Sequence, residues 1–121
     1  MPIIDVRPVV SASQLPDNAA QIIADSIARE LNANTGRVWV RLTELPREKY
    51  AENGEVVEDN DLPVFVQVLH ADWPKENARV KEAEALAVAV AACLGRQVER
   101  VHVEYAPPGR GRIAFGGKLV V

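Results

Sequence analysis

Apolar and polar residues alternate in four separate segments of the chain, which is the pattern of a strand with one buried face. These segments are residues 4–7, 38–42, 64–68 and 101–105. Between the first and second segments, and again between the third and fourth, apolar residues recur at the three- or four-residue spacing of a helix. The recurring residues are Ala20, Ile23, Ile27 and Leu31 in one helix and Ala83, Leu86, Val90 and Leu94 in the other. The pattern therefore predicts the element order β-α-β-β-α-β.

Cap and turn residues predict where the two helices begin and end. The first helix is predicted over residues 17–32, with Ser13 as its N-cap, because a serine hydroxyl accepts a hydrogen bond from the free backbone N–H groups of a first turn. The second helix is predicted to open at residues 72–74 and to end before Gly95, which occupies the position of a C-terminal cap.

The second half of the chain repeats the first. Four kinds of feature recur after 61, 63, 63 and 63 residues: Pro2 with Pro63, Leu31 with Leu94, Val40 with Val103, and Gly54 with Gly117. We predict one domain over residues 1–121, with repeat one at 1–54, an acidic linker at 55–62 and repeat two at 63–121. Residues 52–61 carry five acidic side chains and no basic one, which favours a solvated connection.

Two β-α-β units side by side predict an α/β (α+β) fold. Its sheet is four-stranded and mixed, and both helices lie on one face, because a right-handed helical crossover joins two parallel strands in each unit. The opposite face is expected to carry Arg37, Trp39, Arg41, Arg100, His102 and Glu104. A tryptophan on that face favours cover by another subunit, so we expect an oligomer.

Composition and charge exclude several classes of function. The 121 residues are 48% apolar, which is enough for one buried core, and the net charge of −3 gives no general attraction for nucleic acid. Cys93 is the one cysteine, so neither an internal disulfide nor a thiolate metal site is expected, and His70 with Asp72 are too few to hold a metal. No apolar run reaches eighteen residues and no leader opens the sequence, so we expect a soluble, cytoplasmic protein with no membrane partner.

Pro2 is the first residue that suggests chemistry. A methionine before a small residue is normally removed, and removal here leaves a proline with a secondary amine at the amino terminus. An ordinary α-amino group titrates near pH 8, and an apolar environment or nearby arginines lower its pKa because they disfavour the cation. Such an amine can act as a general base or as a nucleophile toward carbonyl groups. The alternative is that Met1 and Pro2 are merely an ordinary start to a chain.

A proline directly before a strand, in a duplicated β-α-β chain of this length, resembles the tautomerase superfamily, which includes 4-oxalocrotonate tautomerase and macrophage migration inhibitory factor. The resemblance also rests on residues 38–44, on Tyr50 ahead of Asn53 and Gly54, and on residues 115–117, and it covers nearly the whole chain. It implies a homotrimer with sites near the subunit interfaces, a small-molecule substrate and no cofactor.

The resemblance assigns roles to several residues of this chain. Pro2 would move a proton between carbon and oxygen of an enol or 2-oxo acid, and Tyr50 would form part of an apolar wall. The family's substrate-binding arginines are replaced, since residues 11–13 are Ser-Ala-Ser and the matching strand positions hold Trp39 and His102.

Other side chains can take the place of those arginines. Arg41 and Arg112 are the leading candidates, with Arg37 and Arg110 behind them, because a guanidinium matches the fork of a carboxylate. His102 is a further candidate for binding substrate. For each arginine the alternative is a surface or interface ion pair, and for His102 it is a packed strand histidine.

Pro63 matches Pro2 in the second repeat, but its nitrogen is a tertiary amide and cannot accept a proton at neutral pH. We therefore expect one site per chain. The predicted activity is that of an isomerase, a keto–enol tautomerase acting on a small 2-oxo acid or enol. The alternatives are a decarboxylase, hydratase or dehalogenase of the same superfamily, or a non-catalytic binding protein with this fold.

Overall fold

Two long strands, β1 and β4, form the centre of the sheet in a computed structural model that describes residues 2–12 and 15–121. In chain order the elements are β1 (Ile3–Val10), α1 (Ala19–Leu31), β2 (Trp39–Leu42), β3 (Leu45–Pro46), β4 (Val64–Leu69), α2 (Glu76–Leu94), β5 (Val101–Tyr105), β6 (Ala114–Phe115) and β7 (Lys118–Leu119). Three short 3₁₀ turns cover Arg47–Lys49, Asp59–Asp61 and Val98–Arg100.

The main sheet has the order β2-β1-β4-β5. Strands β1 and β2 are parallel, as are β4 and β5, while β1 and β4 are antiparallel and join the two units. This arrangement confirms the predicted mixed sheet with two β-α-β repeats. The short strand β3, which was not predicted, pairs in parallel with the end of β1 and lengthens that edge.

The core lies between this sheet and the two helices. The alternation along β1 and β4 places Ile4, Val6, Val66 and Val68 on the helix side, where each is at most 1% exposed. Buried residues of α1 and α2 pack against these side chains in one apolar cluster, which confirms that both helices cover the same face. Cys93 is partly buried and packs against the same cluster.

Both helices begin later than predicted. Helix α1 starts at Ala19 after Asn18, and the predicted N-cap Ser13 lies outside the described residues. Helix α2 starts at Glu76, because residues 72–74 make tertiary contacts instead: the Trp73 indole N–H donates to the Ala106 carbonyl at 2.8 Å. The predicted cap at Gly95 is confirmed, with φ of 65° in the left-handed region that favours glycine.

Backbone hydrogen bonds recur between the two halves at an offset of 63 residues. The bond from Ala33 N–H to the Ala28 carbonyl has its counterpart in the bond from Arg96 N–H to the Ala91 carbonyl. Two turns recur in the same way, since Glu52 bridges to Glu55 around residues 53–54, and Phe115 pairs with Lys118 around residues 116–117. The duplicated sequence pattern therefore corresponds to duplicated local structure.

Arginine side chains from both halves bond to the connection between them. Arg47 forms an ion pair with Asp59, and the Arg100 Nε–H donates to the Asp61 carbonyl at 2.6 Å. The repeat boundaries, and the role of residues 55–62 as a linker, stay predictions. Neither described helix is both long enough and apolar enough to cross a membrane.

Candidate active site

Pro2 lies immediately before β1, at the end of the sheet where β1 and β2 begin and β4 and β5 end. It is partly buried, and its carbonyl accepts a hydrogen bond from the Trp39 N–H at 3.2 Å. The antiparallel register places Ile3 opposite Leu69, so its continuation by one residue places Pro2 opposite His70. Pro2 is thus fixed between β2 and the end of β4.

An aromatic pair lies beside Pro2 on the outer face of the sheet. Trp39 contacts Phe115 edge to face, with ring centroids 5.4 Å apart and planes at 87°. Phe115 belongs to the β6–β7 hairpin, which brings the last part of the chain across β2. Trp39 is also held by its indole N–H, which donates to the Gly36 carbonyl at 3.0 Å, and it stays 42% exposed. The pair forms an apolar patch on the outer face at this end of the sheet, and sequence patterns did not reveal it.

Arg41 lies two residues from Trp39 on the same outer face and is occupied by an ion pair. Its Nε and Nη2 groups donate to the two carboxylate oxygens of Asp5 at 2.6 and 2.9 Å. The hydrogen bond and charge of Asp5 raise the pKa of the Arg41 guanidinium above its ordinary value. Because the Arg41 side chain is 66% exposed, a carboxylate ligand has access to it but competes with Asp5.

The two arginines of the loop after β5 also have partners within the chain. Arg112 donates from Nε to the Pro108 carbonyl at 2.9 Å and from Nη2 to the Pro107 carbonyl at 2.6 Å. Arg110 pairs with Asp72, in the segment after β4. The structure places this loop near the Pro2 end of the sheet, because the Gly109 N–H donates to the His70 carbonyl at 2.8 Å.

Tyr50 and His102 lie at the opposite end of β4. Phe65 contacts both rings, with centroid distances of 5.8 Å to Tyr50 and 5.7 Å to His102. The Tyr50 hydroxyl donates to Glu52, whose carboxylate also accepts from Arg100 Nη2 at 2.7 Å. Burial, followed by the hydrogen bond to Glu52, raises the pKa of Tyr50.

A small cavity opens beside the Phe65 and His102 rings. Its volume is about 200 Å³, and it is lined by Asp5, Arg7, Phe65, Val66, Gln67, His102, Val103 and Glu104. Phe65 lies opposite Arg7, five residues along β1 from Pro2, and five extended residues span about 16 Å. One protomer therefore does not bring Tyr50 or His102 to Pro2.

A cluster of three polar side chains lies at the Pro2 end on the helix side of the sheet. His70 Nε2 lies 2.8 Å from Glu82 Oε1, and the Tyr105 hydroxyl donates to the same oxygen at 2.7 Å. The His70 and Tyr105 rings stack with centroids 6.2 Å apart. The side chains of His70 and Glu82 are each only 14% exposed. We call these three residues the His70 cluster.

The His70 cluster keeps a carboxylate ionised in a half-buried position. Burial raises the pKa of Glu82, but the hydrogen bonds from His70 and Tyr105 outweigh burial, so its pKa lies below the ordinary value. Burial and the hydrogen bond to Glu82 raise the pKa of Tyr105, which stays protonated. The sequence suggested for His70 only a metal-binding role, for which it has too few neighbouring ligands, and gave no sign of this cluster. Within residues 2–12 and 15–121, no group of three or more His, Cys, Asp or Glu side chains could hold a metal ion.

Comparisons with known proteins identify the fold. No protein-family model matches the chain, and no curated protein sequence does so either. Among solved structures, the chain is similar to a fused 4-OT wild-type symmetric trimer, at 18% identity and a TM-score of 0.76, covering 98% of this chain and 94% of that one. It is similar at 18% identity and 0.73 to macrophage migration inhibitory factor from Oncomelania hupensis, covering 99% of this chain and 82% of that one.

A third similar structure is that of Pt0534 inactivated by 2-oxo-3-pentynoate, at 18% identity and a TM-score of 0.74, covering 98% of this chain and 94% of that one. All three matches extend over nearly the whole chain, so the likeness is to the complete duplicated unit. The chain has the fold of these three proteins, which include a fused 4-OT and a macrophage migration inhibitory factor, and this confirms the resemblance at the level of fold.

Proposed function

We propose that this protein is an isomerase, a keto–enol tautomerase that acts on a small 2-oxo acid or its enol through the amine of Pro2. The observation that carries the proposal is the location of Pro2: it lies immediately before the central strand β1, and its carbonyl accepts a hydrogen bond from Trp39 of the neighbouring strand. The proposal requires that Met1 be removed, so that the Pro2 nitrogen is an amine instead of an amide.

The proposed reaction needs one group that takes up and returns a proton. The neutral amine of Pro2 accepts the proton of the enol hydroxyl, and the resulting ammonium delivers a proton to the neighbouring carbon to give the 2-oxo acid. Each proton that leaves oxygen is matched by one that reaches carbon, so no other reactant is consumed. An amine whose pKa lies near the working pH serves both steps. Pro2 is partly buried, and burial lowers an amine's pKa toward that range.

The proposed active form is a homotrimer whose sites lie near subunit interfaces. Trp39 and Phe65 are 42% and 38% exposed on the sheet face away from the helices, where another subunit would cover them. The similar fused 4-OT structures are described as symmetric and asymmetric trimers. A neighbouring subunit can supply Tyr50 and His102, which within one protomer contact Phe65, a position about 16 Å along the sheet from Pro2.

Arg41 and Arg112 are the proposed binding groups for the substrate carboxylate. Both are exposed guanidinium groups, and neither is enclosed by the core. Arg112 is fixed by two backbone carbonyls instead of a carboxylate, so it keeps its positive charge available to an anion. Arg41 has to exchange Asp5 for the substrate.

The proposal is tested by the rate of ketonisation of phenylenolpyruvate by the untagged protein and two matched variants. Pro2→Ala removes the ring amine, whereas Pro63→Ala changes the corresponding residue of the second repeat, whose nitrogen is an amide. We expect Pro2→Ala to lose at least about 100-fold in kcat/KM, the usual contribution of a general base, and Pro63→Ala to stay active. Full activity of Pro2→Ala would overturn the proposal.

A further inference from the structure

The His70 cluster contains a histidine whose two ring nitrogens have different surroundings. Nε2 lies against the ionised Glu82 carboxylate, while Nδ1 makes no hydrogen bond within the described part of the chain. A carboxylate accepts hydrogen bonds, so Nε2 carries the hydrogen of a neutral His70 and Nδ1 is left as an acceptor. Glu82 thus fixes both the ring orientation and the tautomer of His70.

Tyr105 strengthens this arrangement from the neighbouring strand. Its hydroxyl donates to the oxygen of Glu82 that faces His70, and its ring stacks on the imidazole at an angle of 15°. The carboxylate therefore accepts from two directions, and the histidine is confined by a ring on one side. The two hydrogen bonds to Glu82 and the stacked ring together hold the imidazole in one geometry.

The open nitrogen of His70 lies at the same end of the sheet as Pro2 and on the same face as the Pro2 ring. Alternate residues of a strand point to the same side, so Pro2 shares the helix side with Ile4, and His70 shares it with Val68. Ile3 lies opposite Leu69, and the next position places Pro2 opposite His70. Directly opposed residues of antiparallel strands have Cβ atoms about 5 Å apart.

We propose that His70, oriented by Glu82, is a positioning residue for the Pro2 amine, accepting an N–H hydrogen bond at Nδ1. This inference rests on the proposed function of Pro2. In the neutral amine, the N–H points to His70 and the lone pair points away from it, toward the substrate. In the protonated amine, one N–H stays on His70 while the other is transferred.

This hydrogen bond opposes the effect of burial. Partial burial of Pro2 disfavours the ammonium, whereas an acceptor beside the nitrogen favours it, and together they keep the amine able to both take and release a proton. The charged or titratable groups around the cluster are Glu82 and Arg79 of α2, Tyr105 of β5, Asp72 with its partner Arg110, and Pro2 itself.

The experiment compares the pH titration of the Pro2 amine in three forms of the untagged protein, followed by ¹⁵N NMR with labelled proline. His70→Gln keeps an amide near the Nε2 position, and with it a donor to Glu82, but removes the acceptor at Nδ1. Tyr105→Phe removes the other hydrogen bond to Glu82 but keeps the ring that stacks on His70 and the bond between His70 and Glu82, so it serves as the control for a purely structural loss. Intact mass first establishes that Met1 is absent, and ¹⁵N shifts of His70 report its tautomer.

We expect the titration midpoint of Pro2 to fall by about one pH unit in His70→Gln, because the ammonium loses a charge-assisted hydrogen bond, and to stay near wild type in Tyr105→Phe. The kcat/KM for phenylenolpyruvate should fall about tenfold in His70→Gln, mostly in kcat. Glu82→Gln, which removes the negative charge that favours the hydrogen of His70 on Nε2, should also lower the midpoint.

Two results would overturn the inference while leaving the proposed function intact. One is a Pro2 midpoint and a kcat/KM that are unchanged in both His70→Gln and Glu82→Gln, with Pro2→Ala inactive. The other is a wild-type His70 with its hydrogen on Nδ1. A retained Met1, or a fully active Pro2→Ala, would instead overturn the proposed function and the inference together.

Discussion

Arg41 and Asp5 form a two-point ion pair across the parallel strands β2 and β1, where the register places the two residues side by side. The pair crosses the outer face of the sheet close to Trp39. The sequence makes Arg41 a candidate for binding the substrate, with an ion pair as the alternative. The structure shows the ion pair, and because the pair is exposed it is a weak interaction that an anionic substrate can displace.

If Arg41 binds the substrate carboxylate, Asp5 and the substrate compete for one guanidinium. We expect Arg41→Ala to raise KM for phenylenolpyruvate about tenfold, the effect of one lost charge-assisted hydrogen bond, with little change in kcat. Asp5→Asn should lower KM, because it frees Arg41. Steady-state kinetics of both variants test this, and an unchanged KM in Arg41→Ala would assign carboxylate binding to another residue, with Arg112 next to be replaced.

The separation of Tyr50 from Pro2 within a protomer predicts complementation between inactive subunits. Pro2→Ala and Tyr50→Ala chains, unfolded and refolded together, should form mixed trimers with some sites that combine an intact Pro2 with an intact Tyr50 from a neighbour. Random mixing gives about one quarter of the wild-type number of such sites. Each variant refolded alone is the control. Activity that never exceeds the sum of the two controls would show that Tyr50 is not shared between subunits.

The His70 cluster also predicts how stability depends on pH. The folded-state pKa of Glu82 lies below its ordinary value of 4.5, so the unfolded chain binds more protons as pH falls through that range. The stabilisation is therefore present above about pH 4.5 and is lost as pH falls through the lower, folded-state pKa. Thermal melts from pH 7 to pH 3 should show the melting temperature of Glu82→Gln approaching that of the wild type as the pH falls. Glu84→Gln, at an exposed position of α2, should melt in parallel with wild type throughout.

Two adjacent isoleucines of α1 test the assignment of the core. Ile23 is 1% exposed and packs between helix and sheet, whereas Ile22 is 42% exposed. We expect Ile23→Ala to lower the free energy of unfolding by about 2–5 kcal/mol, since it removes buried apolar atoms and leaves a cavity. Ile22→Ala should lower the free energy of unfolding by much less. Urea denaturation of both variants measures the difference, and equal losses would contradict the described orientation of α1.

The sequence was sufficient for the architecture because the fold depends on short-range patterns. Alternation along residues 4–7 and 64–68 placed the buried faces of β1 and β4 correctly, and the recurrence at 63 residues reflects hydrogen bonds that recur at the same offset. The start of α2 was placed too early because Pro74 resembles a first-turn proline. In the folded chain the Pro74 carbonyl instead accepts a hydrogen bond from Arg79 Nη1, and Trp73 is bonded to Ala106.

The candidate site was harder to predict because its members are distant in sequence. The partners of His70 are Glu82, which lies on the following helix, and Tyr105, which lies on the strand after that helix. No local spacing in the sequence therefore indicates the cluster. Trp39 and Phe115 are brought together only by the terminal hairpin. Pro2 itself could be proposed from sequence, since its chemistry depends on its position in the chain, and its catalytic role stays a proposal.

The most direct test of the central claim, that Pro2 is an accessible and reactive amine, is the intact mass of the untagged protein before and after borohydride reduction with pyruvate. Pyruvate condenses with a secondary amine to an iminium ion and water, and hydride reduction of that ion leaves a stable adduct. The account predicts loss of Met1 and a single adduct that maps to Pro2. A retained Met1 with no adduct would contradict it.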